Sequence, residues 1–214
     1  MQTSEFVEFL AGIASRLRHD LKGGLITLRM GLEALPEEED LKPLLLERAS
    51  HLESLSDKLV LLLRMGQMRP EKLRLSAVLG EFRGRAADRF PALEIALPSD
   101  LGGARLSLDG DALVYGLLEV AENASLAGAT RLEIGVVSEG DQHSLVLRDN
   151  GSGPDPADIG DLKGSLAPLG VSRWGRAGLG LAIADLCARG HHGDLRLSPG
   201  NPGMEVVMRL GASA

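Results

Sequence analysis

The residue types with chemical reach fall in four short stretches. In "LLEVAENAS", Glu119 and Asn123 stand four apart. On a helix, positions i and i+4 share a face, so a carboxylate and an amide point the same way. An amide oxygen suits Mg2+ beside phosphates, and a neighbouring carboxylate orients a water or completes the metal shell. In "VLRDNGSGP", a strand delivers Asp149, and Gly151 and Gly153 follow. A carboxylate at a strand end accepts a hydrogen bond from an exocyclic amine such as that of adenine. The glycines let backbone approach a ligand closely. In "GRAGLGLAIADL", Gly175, Gly178 and Gly180 open directly into an apolar helix. A glycine-rich run ending at a helix N-terminus is an anion site, and Arg173 and Arg176 add charge suited to a triphosphate. Finally, "RLRHDLKGGL" sets His19 beside Asp20 within a leucine-rich helix. Such a pair gains nothing from burial. It is either a solvated surface feature or exposed because something must reach it.

The elements that position these residues follow from periodicity. Apolar residues from Phe6 to Leu35 recur at spacings of three and four, a helical stripe. Pro36 ends it and "PEEED" makes a solvated turn. A second stripe runs through Leu41, Leu45, Leu52, Leu55, Leu59 and Leu62 and stops at Gly66. This predicts a helical hairpin over 1–68. Its apolar seams are expected to close in a homodimeric four-helix bundle; the alternative is packing on the C-terminal half of the same chain. "GQMRPEKLRL" reads as a linker.

From residue 73 to 214 helices mix with short alternating strands. Helices are expected in "SAVLGEFRGRAADRF", "GDALVYGLLEVAENASLAG" and "GLGLAIADLCARG". Strands are expected in "LEIALP" and "ARLSLD", as a pair in "RLEIGVVSEGDQHSLVLRDNG", and as a closing hairpin in "DLRLSPGNPGMEVVMRLG". The fold class is α+β, with helices on one face of a mixed sheet. The Gly/Pro-rich stretch 152–177 has little periodicity and reads as a lid.

The formal charge of −7 argues against non-specific nucleic-acid binding. The single Cys187 forms no internal disulfide and lies in an apolar run, as a buried thiol would. A longest apolar run of "KLVLLLRMG", broken by Arg64, is too short for a membrane span. With no signal-peptide pattern at the N-terminus, a cytoplasmic protein is expected. His51, His143, His191 and His192 have no metal-ligand spacing and read as structural or solvated. The glycine run matches neither the dinucleotide fingerprint nor the Walker lysine pattern.

Taken in order, Glu-x-x-x-Asn-Ala on a helix, Asp-x-Gly-x-Gly after a strand, a lid, and Gly-x-Gly-Leu before a helix resemble the Bergerat ATP-binding fold. Histidine kinases, type II topoisomerases, MutL-type repair proteins and the ninety-kilodalton heat-shock chaperones share that fold. "LDGDALVYGLLEVAENA" is similar to the run into the N box of sensor histidine kinases, "RDNGSG" to their G1 box and "GLGLAIA" to their G2 box. The resemblance covers roughly 73–211. "RHDLKGGL" resembles the H box of their dimerisation and phosphotransfer domain.

The resemblance implies a protein-histidine kinase. It makes His19 the phosphoacceptor and Asp20 the general base, with Asn123 on Mg2+ and Asp149 on adenine. Gly151, Gly153, Gly178 and Gly180, with Arg176 and Leu179, would line the nucleotide. Glu119 stands where many histidine kinases have Asn and other members of the superfamily have a catalytic or metal-orienting Glu. The implied ligands are ATP and Mg2+, and the implied partner is a response-regulator receiver domain. The alternative is a phosphorelay adaptor whose ATPase-like domain is non-catalytic. The sequence departs from the family in three places. Gly24 replaces the H-box Pro, so any bend must come from Gly23-Gly24. Gly23 stands where strong phosphatases often have Thr or Asn, so weak phosphatase activity is expected. The lid has no Phe, and its Trp174 lies either near the nucleotide or packed at the surface.

Overall fold

In the computed structural model, the described residues are 68–99, 103, 105–140, 142–153 and 179–211, with scattered positions of 21–65. His19, Asp20, His51, Arg173, Trp174, Arg176, Gly178 and nearly all of the expected lid lie outside them.

From residue 71 the elements run β1 (Glu71–Arg74), α1 (Leu75–Arg89), β2 (Glu94–Ala96), β3 (Arg105–Leu108), α2 (Gly110–Leu126), β4 (Arg131–Glu139), β5 (Gln142–Asp149), α3 (Leu179–Gly190), β6 (Leu195–Pro199) and β7 (Met204–Leu210). A five-stranded sheet has the order β2-β4-β5-β7-β6. β2 lies parallel to β4 and the other pairs are antiparallel, the mixed sheet expected. One expectation fails: Glu71–Arg74 is not linker but a strand paired with β3, in register Leu73↔Leu106. Its alternation is too short to read against the neighbouring Pro70 and Lys72.

Strand alternation selects the face that meets the helices. Leu132 and Ile134 of β4, Leu145 and Leu147 of β5, and Val206 and Met208 of β7 are all buried. They stand opposite one another across the ladders: Ile134↔Leu147, Leu147↔Val206 and Leu145↔Met208. Asp149, two residues beyond Leu147 and opposite Leu132, belongs to the same row. The opposite face carries the Arg148–Glu205 ion pair, 2.7 Å.

Helices α1, α2 and α3 cover the apolar face with Phe82, Leu113, Leu117 and Ile183 fully buried. α2 and α3 cross closely because Gly116 has no side chain. A Cβ there would meet Cys187 Cβ at 3.0 Å and Sγ at 3.1 Å. Cys187 is fully buried, and burial raises its thiol far above the ordinary range, so it is the structural thiol expected.

Asp109 joins three parts of the chain. Its Oδ1 accepts the Ala112 N–H at 2.9 Å and caps α2. Its Oδ2 accepts the Arg69 N–H at 2.8 Å, just before β1. Its own N–H donates to His191 Nε2 at 3.0 Å. Nε2 is therefore the acceptor, and Nδ1–H donates to the Cys187 carbonyl at 2.8 Å. Burial lowers the His191 pKa and keeps the ring neutral.

The described residues of the N-terminal stripes are helical. Gly24 faces Leu52, and Gly31 faces Leu45, contacts that place the two segments antiparallel. The second stripe also reaches the C-terminal half of the same chain. Leu62 and Met65 are buried in its core, with Leu61 and Met68 packed against it. To that extent the seam follows the same-chain alternative.

Candidate functional site

α2 forms because Asp109 caps it and its apolar residues recur on the face toward the sheet and α3. Glu119 and Asn123 follow on one side, one turn apart. α3 opposes them with its first turn. A Cβ on Gly180 would stand 2.8 Å from Glu119 Oε2 and 3.4 Å from Asn123 Nδ2. Glycine is therefore required for α3 to bring its N-terminal end onto this pair, which explains the glycine at the sequence level. Leu179 beside it is buried.

Asp149 ends β5 in the row that faces the helices. Its Oδ1 accepts the Gly151 N–H at 2.8 Å and its Oδ2 accepts the Met204 N–H at 3.3 Å. Among the described residues each oxygen accepts one side-chain or backbone donor, and a carboxylate oxygen has a second lone pair for a further one. Ser152 N–H donates to the Ala127 carbonyl at 3.0 Å, so the glycine turn is tied to the end of α2. Gly153, with a positive φ of 68°, lies against Gly203 of the β6–β7 turn. The structure thus brings Glu119 and Asn123 together with Gly180, and ties the turn of Asp149, Gly151 and Gly153 to the C-terminal end of the same helix α2 through Ala127.

Sequence reading missed Lys58. This residue of the second hairpin stripe places Nζ 2.9 Å from Glu119 Oε2 and 2.7 Å from Glu122 Oε2. Arg89 of α1 holds the other Glu122 oxygen at 3.2 Å. A signal existed: Lys58 lies three, four and seven residues before Leu61, Leu62 and Met65, on the face that packs inward. Burial raises the Glu119 pKa by more than the Lys58 charge lowers it. Burial alone would lower Lys58, but the carboxylates of Glu119 and Glu122 overcome it and raise its pKa. For Glu122, burial is outweighed by Lys58 and Arg89, and its pKa falls.

The donor set fits a hard cation. The Glu119 carboxylate, whose buried Oε2 meets the Lys58 ammonium, and the Asn123 side-chain amide, whose buried Nδ2 has no hydrogen-bond partner among the described residues, supply oxygens of the type Mg2+ takes while keeping several waters. Of the other histidines, His191 is the buried structural residue described above, and His143 Nδ1 pairs with Ser138 Oγ at 2.8 Å.

Residues 108–213 match the model of the histidine kinase-, DNA gyrase B- and HSP90-like ATPase family. That part of the chain, just under half of it, is similar to the α/β ATPase domains of that family. Among solved structures, histidine kinase ThkA in complex with response regulator protein TrrA is 16% identical, with a TM-score of 0.75 over 99% of this chain and 64% of that one. Acinetobacter baumannii histidine kinase AdeS is 18% identical, with a TM-score of 0.65 over 92% of this chain and 98% of that one. The histidine kinase domain of the E. coli osmosensor EnvZ is 24% identical, with a TM-score of 0.53 over 70% of this chain and 93% of that one. At these identities the likeness is one of fold. A comparison with curated proteins finds no match. No described helix is long and apolar enough to cross a membrane.

Proposed function

We propose that the chain is a two-component protein-histidine kinase. Residues 1–68 form the dimerising and phosphotransfer hairpin, and 73–214 form the catalytic domain. The observation that carries this reading is the meeting of Glu119, Asn123 and Gly180 at the start of α3, within a domain of the matching ATPase family.

ATP binds with its adenine amine on Asp149 and its phosphates along the run Arg176, Gly178, Leu179 and Gly180, where helix N-terminal amides favour anions. Gly151 and Gly153 keep side chains out of the adenine's approach. Asn123 and Glu119 hold Mg2+, which when bound screens phosphate charge. The His19 imidazole attacks the γ-phosphorus; an N–P bond forms, the bond to the bridging oxygen breaks, and ADP leaves. Asp20 takes the imidazole proton. The phosphoryl group then passes to an aspartate of a receiver domain. The likeness in fold to a kinase solved in complex with a response regulator supports that class of partner.

The test is incubation with Mg2+ and ATP labelled at the γ-phosphate, alongside His19→Ala and Asn123→Ala. Acid-labile, base-stable label on the wild type, lost in both variants, is expected. An unlabelled wild type that binds no ATP, yet accepts phosphate on His19 from a phosphorylated receiver domain, would establish the phosphorelay adaptor instead.

A further inference from the structure

Glu119 already has a cation. The ammonium of Lys58 lies 2.9 Å from Glu119 Oε2, the same oxygen that faces Gly180 and the start of α3. The lysine is seated rather than loosely placed. It donates a hydrogen bond to Glu122 Oε2 at 2.7 Å, and Arg89 fixes Glu122 from the other side at 3.2 Å. Glu122 lies outside the proposed metal donors, so the seat for the ammonium is built separately from them. Lys58 arrives with its helix, because Leu62 and Met65 are buried in the core shared with the catalytic domain.

We propose that Lys58 is a tethered competitor of the metal: when the hairpin rests on the catalytic domain, its ammonium occupies the charge site at Glu119, and loading of the metal–nucleotide requires it to leave. The inference rests on the nucleotide reading above. A divalent cation held by Glu119 and Asn123 would share the Glu119 carboxylate with an ammonium already 2.9 Å from it, and like charges that close, partly shielded from water, repel strongly. The two occupancies are therefore antagonistic, and linkage makes the effect reciprocal. Seating of the hairpin weakens metal-dependent nucleotide binding, and the metal–nucleotide weakens the seating.

The experiment is calorimetric titration of the full chain with ADP, in Mg2+ and in EDTA, for wild type, Lys58→Gln and Glu122→Gln. With Mg2+, Lys58→Gln should bind ADP about tenfold tighter than wild type. In EDTA the two should be equal. Glu122→Gln, which weakens the seat without touching a proposed metal donor, should move the same way by less, and it carries the test should Lys58→Gln fold poorly. Hydrogen exchange of the wild type over 58–68 should speed up on adding Mg2+ and ADP but not ADP alone. Equal affinities in Mg2+ would overturn the proposal, as would a loss of affinity in both conditions, which would make Lys58 a phosphate ligand. ADP binding to none of the proteins in either condition would refute the nucleotide reading itself, and the proposal with it.

Discussion

Glu119 on α2 and Asp185 on α3 are both buried acids, 1% and 2% exposed, and burial raises both carboxyls above their ordinary values. Their counter-charges come from different places. Asp185 pairs at 2.8 Å with Arg189, one turn further along the same helix. Glu119 pairs with Lys58, sixty-one positions earlier in the chain. An acid matched within its own helix is satisfied as soon as the helix forms, in every arrangement of the molecule. An acid matched from another element is satisfied in one arrangement only. The first kind of pair maintains a fold, and the second can report where two parts of the chain stand.

The largest effect separating the two acids should be on phosphorylation. Glu119→Ala is expected to lower labelling by roughly a hundredfold or more, whereas Asp185→Ala should leave the initial rate of label incorporation within about twofold below its melting temperature. Equal losses in both would erase the distinction. Next comes stability. Asp185→Ala removes a charge-assisted bond and should cost about 2 kcal/mol in urea denaturation, with ADP affinity unchanged. Gly116→Ala, at the α2–α3 contact, pushes a methyl group onto Cys187 and should cost about 1–2 kcal/mol in the same assay. A neutral outcome would mean that the helices separate freely there.

The smallest effect is on pH dependence. His191 is held neutral by burial, against the pull of Asp109 and with His192 adding to the depression. Its folded pKa lies below its unfolded one, so the unfolded chain binds the proton first as pH falls. Stability should be full above the ordinary histidine range and decline as pH drops from there toward the depressed folded value. His191→Gln should flatten that decline in denaturation curves taken across the window, and an unchanged slope would assign the titration elsewhere.

Much of the fold was legible because its signals are periodic. The row Leu145, Leu147, Asp149 could be read from alternation alone, and it placed an acid in line with core residues at a strand end. Glu119 and Asn123 were legible from helical spacing, and Cys187 from its apolar neighbours. β1 was not, since four residues beside a proline give no usable period and the strand exists through its partner β3. Lys58 was harder still. Its position on the inward face is visible in the spacing to Leu62 and Met65, but the carboxylates that receive it are brought near only by tertiary packing. A lysine on an apolar face commonly carries its charge to the edge of the contact; here that edge coincides with Glu119.

The attachment of Arg69 to Asp109 has a mechanical consequence. The side chain that accepts the Arg69 N–H also caps α2, and the backbone N–H of the same residue donates to the His191 ring just past α3, so the chain at Arg69 is anchored where two helices of the domain are joined. Lys58 lies eleven residues before that anchor, so the anchor acts as a pivot and the ammonium stands on an arm beyond it. A rotation about that pivot moves the ammonium further than any atom at the anchor, and so parts it from Glu119 while the pivot stays closed.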